Sequence, residues 1–193
     1  KTGADVSLYD GNEELDKEAL FEKLYEKKEI SLVLGNITKE DIEKYDLLVL
    51  SPGISVNAPI AQMFYDQEKP VWSEIELAYQ ASKGKIAAIT GTNGKTTTTA
   101  LTGEIMKGYY ESSFVVGNIG IPYTSVALDT QENSVITAEI SSFQLETIVD
   151  FKPDVCAVLN ITPDHLDRHG TVEVYAKTKE SIGKNQTKDQ IMV

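Results

Sequence analysis

The sequence contains one cysteine, Cys156, so this 193-residue chain cannot form a disulfide bond within itself. A lone cysteine fits a reducing compartment, and we expect a cytoplasmic protein. Cys156 lies in the apolar run VCAVL at residues 155–159, which favours a buried structural thiol over a nucleophile.

Positive charge and long apolar runs are also scarce. The chain has 18 Lys and Arg against 30 Asp and Glu, a net charge of −12, which argues against nucleic acid as a partner. It does not argue against ATP, which a loop and Mg²⁺ can bind locally. No apolar run approaches ~18 residues, so we expect no membrane span. With 41% hydrophobic and 25% charged residues, the composition is typical of a globular protein.

The most informative stretch is AAITGTNGKTTTTALTG, residues 87–103. An apolar run at 86–89 predicts a buried strand, and the segment after Thr96 predicts a helix with Leu101, Ile105 and Met106 on one face. A strand, a glycine loop, Lys-Thr and a helix in this order indicate a phosphate-binding loop.

Each residue type in this loop suits a bound triphosphate. Gly91 and Gly94 let the backbone approach the phosphates, Lys95 supplies a positive charge, and the Thr96 hydroxyl can bind Mg²⁺. The motif has the shorter GxxGK[ST] form, because Ile89 stands where the general pattern has a glycine. The alternative is an ordinary GxxG turn. The predicted nucleotide-binding residues are Gly91, Thr92, Asn93, Gly94, Lys95, Thr96 and Thr97.

Strand and helix patterns alternate along the chain, which predicts an α/β fold with parallel sheets flanked by helices. The predicted strands are residues 4–9, 30–34, 46–50, a segment with Val71 and Trp72, 86–89, 114–116, 134–138, 154–160 and a start at 190–193. The predicted helices are residues 15–27, 39–45, 58–67, 74–81, one ending near 107, 123–128, one entered by residues 139–145, and 174–182. The polar segment at 82–85 predicts a boundary between an N-terminal Rossmann-like domain, residues 1–82, and a P-loop ATPase domain, residues 83–193.

Several polar residues follow predicted strands, where ligands bind in such folds. Asp10 and the turn Ser51-Pro52-Gly53 are candidates, although each alone favours an ordinary turn. Glu139 could complete a Mg²⁺ site, or it could belong to a helix cap with the serines that follow it.

Both histidines lie in the segment NITPDHLDRHG, residues 160–170. Carboxylate and imidazole groups beside an ATP loop favour a hard cation over zinc, and the alternative is a polar loop with a salt bridge. In the helix that follows, Lys177 and Lys179 are expected on the solvated surface by their polarity alone.

Five motifs occur in one order along the chain: SPGI at 51–54, GTNGKTTT at 91–98, GNIG at 117–120, EISSFQLE at 139–146 and NITPDHLDRHG at 160–170. In these motifs the chain resembles the Mur ligase family of bacterial cell-wall synthesis. The forms SPGI, GNIG and SSFQL are most similar to those of the family members that add D-glutamate.

The resemblance implies a three-domain enzyme, of which this chain would hold most of the first domain and part of the second, with the C-terminal domain absent. It implies an ATP-dependent acid–D-amino-acid ligase that uses Mg²⁺. Such an enzyme joins D-glutamate to UDP-N-acetylmuramoyl-L-alanine through an acyl phosphate. Two alternatives stay open: a nucleotide-binding fragment without ligase activity, and another Mur ligase or a folylpolyglutamate synthase-like enzyme.

The resemblance also implies residue roles. Lys95 would contact the β- and γ-phosphates, Thr96 and Glu139 would hold one Mg²⁺, and His165 would help to hold a second cation. A lysine carbamylated by CO₂ would be Lys179, with Lys177 as the neighbouring candidate. The residues expected to contact the UDP substrate are Asn118 and Ser141, with Asp10, Ser51, Pro52 and Gly53 at its uridine.

Overall fold

The computed structural model describes residues 3–23 and 30–193, which form two compact units divided after Asp46. In the first unit, strands β1 (Ser7–Asp10) and β2 (Ser31–Leu34) pair in parallel. Helix α1 (Lys17–Lys23) follows β1, and the rest of the helix predicted at 15–27 lies outside the described residues. Helix α2 (Lys39–Ile42) begins at a capping box formed by Thr38 and Asp41.

The second unit begins with a short parallel pair, β3 (Leu48–Leu50) and β4 (Val71–Ser73). Helix α3 (Pro59–Asp66) connects them, and helix α4 (Glu74–Ala81) follows β4. The four strands of the predicted N-terminal domain thus form two separate two-stranded ladders, one in each unit. The domain boundary predicted at residue 82 stays a prediction.

The main sheet of the second unit has five strands in the order β6-β7-β5-β8-β9, and every pair is parallel. The α/β prediction is therefore confirmed, and the carboxyl ends of these strands share one edge of the sheet. The strands are β5 (Lys85–Thr90), β6 (Ser113–Gly117), β7 (Val135–Glu139), β8 (Val155–Val158) and β9 (Ile191–Met192).

Helices connect these strands, as in other parallel sheets. The helices are α5 (Lys95–Lys107), α6 (Tyr123–Val126), α7 (Ser142–Leu145), α8 (Leu166–His169) and α9 (Val172–Glu180), with 3₁₀ turns at Ala127–Asp129 and Ser181–Gly183. In the described part of the chain, no helix is long and apolar enough to cross a membrane.

Helix α5 packs on the sheet with small residues rather than with its apolar stripe. Thr99 and Gly103 are buried, and a Cβ atom on Gly103 would lie 2.2 Å from a methyl group of Val115. Leu101 is 61% exposed and Ile105 is also exposed. Leu101 and Ile105 of the predicted apolar face therefore point to solvent while Met106 is partly buried, because the close approach of helix and sheet at Gly103 leaves room only for small side chains.

A buried carboxylate fixes helix α4 to the turn before β8. Glu76 is completely buried, and its two carboxylate oxygens accept the backbone N–H groups of Val149, Asp150 and Phe151 at 2.8, 3.1 and 3.0 Å. Three N–H donors offset the cost of burying the charge.

Candidate functional site

The phosphate-binding loop lies at the carboxyl edge of the main sheet, between β5 and α5. The first helical hydrogen bond runs from the Thr98 N–H to the Gly94 carbonyl, at 3.0 Å. The N–H groups of residues 95–97 precede it and have no carbonyl partner within the helix. Such groups at a helix N-terminus favour an anion. The Lys95 Nζ folds back over the loop and donates to the Thr92 carbonyl at 2.9 Å.

Glu139 is the last residue of β7, and its carboxylate faces the start of α5. The Thr96 hydroxyl donates to Glu139 Oε2 at 2.9 Å, and the Asn118 Nδ2 donates to Oε1 at 3.0 Å. Glu139 is only 1% exposed. The structure thus brings together Thr96, Glu139 and Asn118. A second hydrogen bond joins Asn118 and Glu139, because the backbone N–H of Asn118 donates to the backbone carbonyl of Glu139 at 2.9 Å.

This pair of oxygen donors fits a hard cation. A hydroxyl and a carboxylate are ligands that Mg²⁺ prefers. The Thr96 hydroxyl lies in the first turn of α5, and the Glu139 carboxylate lies at the end of the adjacent strand β7. Among the described residues, no group of three or more His, Cys, Asp or Glu side chains could hold a metal ion. A cation at Thr96 and Glu139 would therefore need phosphate oxygens or water to complete its coordination.

Lys179 is buried, so the prediction from its polarity that it lies on the solvated surface is wrong. It is 1% exposed, its Nζ donates to the Thr90 hydroxyl at 3.3 Å, and it lies 4.7 Å from the centre of the Tyr175 ring. Burial, with a smaller contribution from the charge of Lys95, lowers the pKa of Lys179 to about 8. The neighbouring Lys177 is exposed.

The two histidines occupy different environments at the two ends of the one-turn helix α8, in a segment where the sequence predicted a cation site or a polar loop but no helix. His165 precedes this helix with a left-handed backbone (φ 50°), and its half-exposed side chain lies 3.6 Å from the Asp164 carboxylate. The buried His169 pairs its Nε2 with the Ser142 hydroxyl at 3.0 Å. Burial lowers the pKa of His169, which favours the neutral ring. Of the two, His165 is the one open to a ligand.

Arg168 supplies the salt bridge that the loop interpretation expected. Its Nε donates to Glu146 Oε1 at 3.2 Å, and its Nη2 donates to the Ile54 carbonyl at 2.9 Å. The guanidinium also lies 4.7 Å from the centre of the Phe143 ring. Arg168 thus ties α8 to α7 and to the turn that follows β3.

The remaining predicted residues have local structural roles. Ser141 is the N-cap of α7 and forms a capping box with Gln144. Asp10 ends β1 in the first unit, and its carboxylate accepts the N–H of Asn12 at 2.9 Å, as in an ordinary Asx turn. Ser51, Pro52 and Gly53 form a turn after β3 in the second unit. Their roles in substrate binding stay predictions.

Sequence reasoning missed the contacts of Asn160 and Tyr175. The Asn160 side chain forms two hydrogen bonds with the backbone of Asn93, and the Tyr175 hydroxyl lies 3.3 Å from that of Thr92. One signal could have identified Asn160: it follows a buried strand, at the same sheet edge as the loop. The spacing of Tyr175 and Lys179 could have placed both on one face of α9.

Fold and site together define a phosphate-loop α/β protein. A family model described as the Mur ligase middle domain matches residues 89–193. The chain therefore belongs to the Mur ligase family, as the motifs predicted.

Two similar relatives are both named UDP-N-acetylmuramoylalanine–D-glutamate ligase. The protein from Lachnospira eligens is 57% identical over 188 residues, covering 97% of this chain and 42% of the relative. That from Lachnoclostridium phytofermentans is 53% identical over 191 residues, covering 99% of this chain and 42% of the relative. The chain thus spans less than half the length of these relatives.

A solved structure supports the fold alone. The UDP-N-acetylmuramate:L-alanyl-gamma-D-glutamyl-meso-diaminopimelate ligase from Neisseria meningitides matches with a TM-score of 0.50 and 14% identity. The match covers 97% of this chain and 62% of that structure.

Proposed function

We propose that this chain forms part of a cytoplasmic ATP-dependent ligase that adds D-glutamate to UDP-N-acetylmuramoyl-L-alanine in peptidoglycan synthesis. The names of the relatives support the substrates. The observation that carries the proposal is the hydrogen bond between Thr96 and Glu139, which joins the first turn of the loop helix to a buried acid at the adjacent strand end. Phosphate-loop enzymes hold Mg²⁺ with this combination of groups.

The chain's own residues would bind the phosphates and neutralise their charge. In this proposal the N–H groups of residues 95–97 and the Lys95 ammonium bind the phosphates of ATP, and Thr96 and Glu139 hold Mg²⁺. When bound, ATP supplies the phosphoryl group that activates the substrate carboxylate as an acyl phosphate. Thr92 and Asn93, which the sequence also predicted to bind the nucleotide, are part of the same loop.

Lys179 is the better candidate for carbamylation than Lys177. Only a neutral amine attacks CO₂, and the buried Lys179 has a lowered pKa of about 8, whereas Lys177 is exposed. A carbamate would convert this cation into an oxygen ligand beside the loop. His165, half exposed and adjacent to Asp164, would help to hold a second cation there.

Substrate-binding residues and domains are assigned by family resemblance. We propose that Asn118 and Ser141 contact the muramoyl part of the substrate. Asp10, Ser51, Pro52 and Gly53 would contact the uridine, within a substrate domain at residues 1–82 and an ATP-binding domain at residues 83–193.

Calorimetric titration of Mg²⁺-ATP and, separately, of UDP-N-acetylmuramoyl-L-alanine tests this proposal. We expect the wild-type chain to bind Mg²⁺-ATP and Lys95→Ala to weaken binding at least about tenfold, because a charge-assisted contact contributes ~1.5–3 kcal/mol. Lys107→Ala is the matched control, because Lys107 lies at the exposed end of the same helix, paired with Glu104. Unchanged affinity in Lys95→Ala would overturn the loop assignment.

Phosphate release separates the ligase from a nucleotide-binding module. Release that requires ATP, the UDP substrate and D-glutamate together supports the ligase. Binding of ATP without any release supports a nucleotide-binding part that has no ligase activity of its own. Release with a folate or another muramoyl peptide in place of the UDP substrate would favour a different member of the family.

A further inference from the structure

The phosphate-binding loop is joined to the segment after β8 by a reciprocal pair of hydrogen bonds. The Asn93 N–H donates to Asn160 Oδ1 at 2.9 Å, and the Asn160 Nδ2 donates to the Asn93 carbonyl at 2.9 Å. The side chain of Asn160 therefore binds both the backbone N–H and the backbone carbonyl of Asn93. This geometry fixes the orientation of the peptide groups around Asn93.

Thr92, the preceding loop residue, is held by the same segment. Its N–H donates to the Asn160 carbonyl at 3.0 Å, and its hydroxyl accepts the N–H of Thr162 at 3.0 Å. The hydroxyl also lies 3.3 Å from the Thr162 carbonyl. Residues 92 and 93 thus direct their N–H groups toward residue 160 rather than toward a phosphate.

The close approach of the two segments depends on glycine in the loop. A Cβ atom on Gly91 would lie 3.1 Å from Leu159 Cβ and 3.4 Å from the Asn160 carbonyl oxygen. The φ of Gly91, 148°, is also one that other residues rarely adopt. Gly91 therefore allows contact with the segment of Asn160, in addition to any approach to a ligand.

Asn160 itself is anchored by the sheet. The N–H of the preceding residue, Leu159, donates to the Thr90 carbonyl at 3.0 Å, which continues the pairing of β8 with β5. The side chain of Asn160 therefore starts from a fixed backbone position. A rigid support of this kind is what a preorganised binding loop requires.

We propose that Asn160 is a positioning residue that holds the phosphate-binding loop in its anion-binding shape before any nucleotide arrives. It commits the N–H groups of Thr92 and Asn93 to the protein and leaves those of residues 95–97 for the phosphates. The proposal rests on the proposed function, because it assigns a support to the same ATP site.

The chemistry of the amide explains why this position needs asparagine. An amide side chain offers a donor and an acceptor at once, and the backbone of Asn93 requires both. In Asn160→Asp the acceptor remains, but a carboxylate oxygen would face the Asn93 carbonyl and add negative charge near the phosphates. In Asn160→Ala both bonds are lost.

Asn185 provides a matched control in the same unit. Its Nδ2 donates to the carbonyls of Val149 and Phe151 at 2.7 and 3.0 Å, so it also fixes a loop through an amide side chain. That loop precedes β8, at the opposite edge of the sheet from the phosphate loop. Asn185→Ala should therefore destabilise the fold without changing the phosphate-binding loop.

The experiment has two readouts in the 193-residue chain: amide hydrogen exchange without ligand, and calorimetric titration of Mg²⁺-ATP. We expect Asn160→Ala to accelerate exchange of the Asn93 amide at least about tenfold and to weaken Mg²⁺-ATP about tenfold, the loss expected for about 1.4 kcal/mol. Asn160→Asp should retain most of the Asn93 protection and still weaken Mg²⁺-ATP. It also serves in place of Asn160→Ala if that variant does not fold. Asn185→Ala should leave both readouts unchanged.

Each other outcome counts against a defined statement. Unchanged exchange of the Asn93 amide in Asn160→Ala would show that the hydrogen bonds between Asn160 and Asn93 do not order the loop, whether or not ATP binds. Faster exchange with unchanged affinity would reject the positioning role, and an equal loss of affinity in Asn185→Ala would attribute the effect to general destabilisation. If the wild-type chain binds no Mg²⁺-ATP, the proposed function fails for this chain, and the phosphate-binding part of the inference fails with it.

Discussion

At the scale of single residues, the buried Lys179 makes stability depend on pH. Its pKa is about 8 in the folded chain against 10.5 in the unfolded chain, so the unfolded chain binds the proton more tightly. At pH values below 8 the folded chain must hold a buried, protonated amine. Between pH 8 and 10.5 the folded chain has released this proton, so the contribution of Lys179 to stability rises with pH.

Replacing this lysine should remove that dependence. In CO₂-free buffer, the free energy of unfolding of Lys179→Met relative to wild type should be highest below about pH 8 and should fall as the pH rises toward 10.5. Urea denaturation at pH 7 and at pH 9.5 measures the difference. The same difference at both pH values would contradict the buried, titrating amine.

CO₂ should modify Lys179 and leave Lys177 unmodified. With isotopically labelled bicarbonate, we expect a carbamate carbon signal from the wild-type chain and from Lys177→Ala, because Lys177 is exposed on the surface of α9 whereas Lys179 is buried beside the loop. The signal should disappear in Lys179→Ala. A signal lost in Lys177→Ala instead would assign the modification to the other lysine.

Residue types predicted the strand, loop and helix at residues 85–107, which the structure confirms, but could not place every side chain. Lys95 and Thr96 follow a strong apolar strand, and Glu139 ends another, so their shared sheet edge follows from parallel topology. Lys179 was misplaced because polarity was read without spacing: Tyr175, one helical turn earlier, is buried on the same face of α9. Only the three-dimensional fold brings Asn160 to the loop, because 67 residues separate it from Asn93.

At the scale of elements, the Glu76 carboxylate joins α4 to the turn at residues 149–151. Glu76→Gln should lower the free energy of unfolding by about 2–4 kcal/mol, because the amide NH₂ would face backbone donors that then lose their acceptor. Urea denaturation measures the change. Glu132→Gln is the control, because Glu132 forms an exposed ion pair with Lys83, which is worth ~0–1 kcal/mol. If Glu76→Gln lowers the free energy of unfolding by less than about 2 kcal/mol, the proposed role of the carboxylate is contradicted.

Elements were predicted well where an apolar run was continuous and poorly where packing depended on small residues. Strands β5, β7 and β8 were predicted from such runs, with ends that differ by one or two residues. Helix α8 was missed because one turn of mixed polarity carries no periodic signal. The buried face of α5 was predicted wrongly because the prediction followed the hydrophobic residues, whereas Thr99 and Gly103 are the residues of α5 that are buried against the sheet.

At the scale of the whole chain, the two units should differ in local stability. Among the described residues of the first unit, Ile42 is the one buried hydrophobic side chain, and its sheet has two strands. Two-stranded sheets with little core are marginally stable. We expect amides of β1 and β2 to exchange with deuterium at least about tenfold faster than those of β5 and β7. Equal protection in both sheets would show that the first unit is not locally weak.

The parallel order of the main sheet makes its two edges unequal for protein engineering. The phosphate-binding loop, Glu139 and Asn160 all follow carboxyl ends of strands, so lengthening a connection at that edge would displace groups of the site. The turn before β7 lies at the other edge, where Glu132 and Asn133 are exposed. An epitope or a fluorescent label inserted between these two residues would leave the loop and its supports in register, so this turn is the place to attach a reporter.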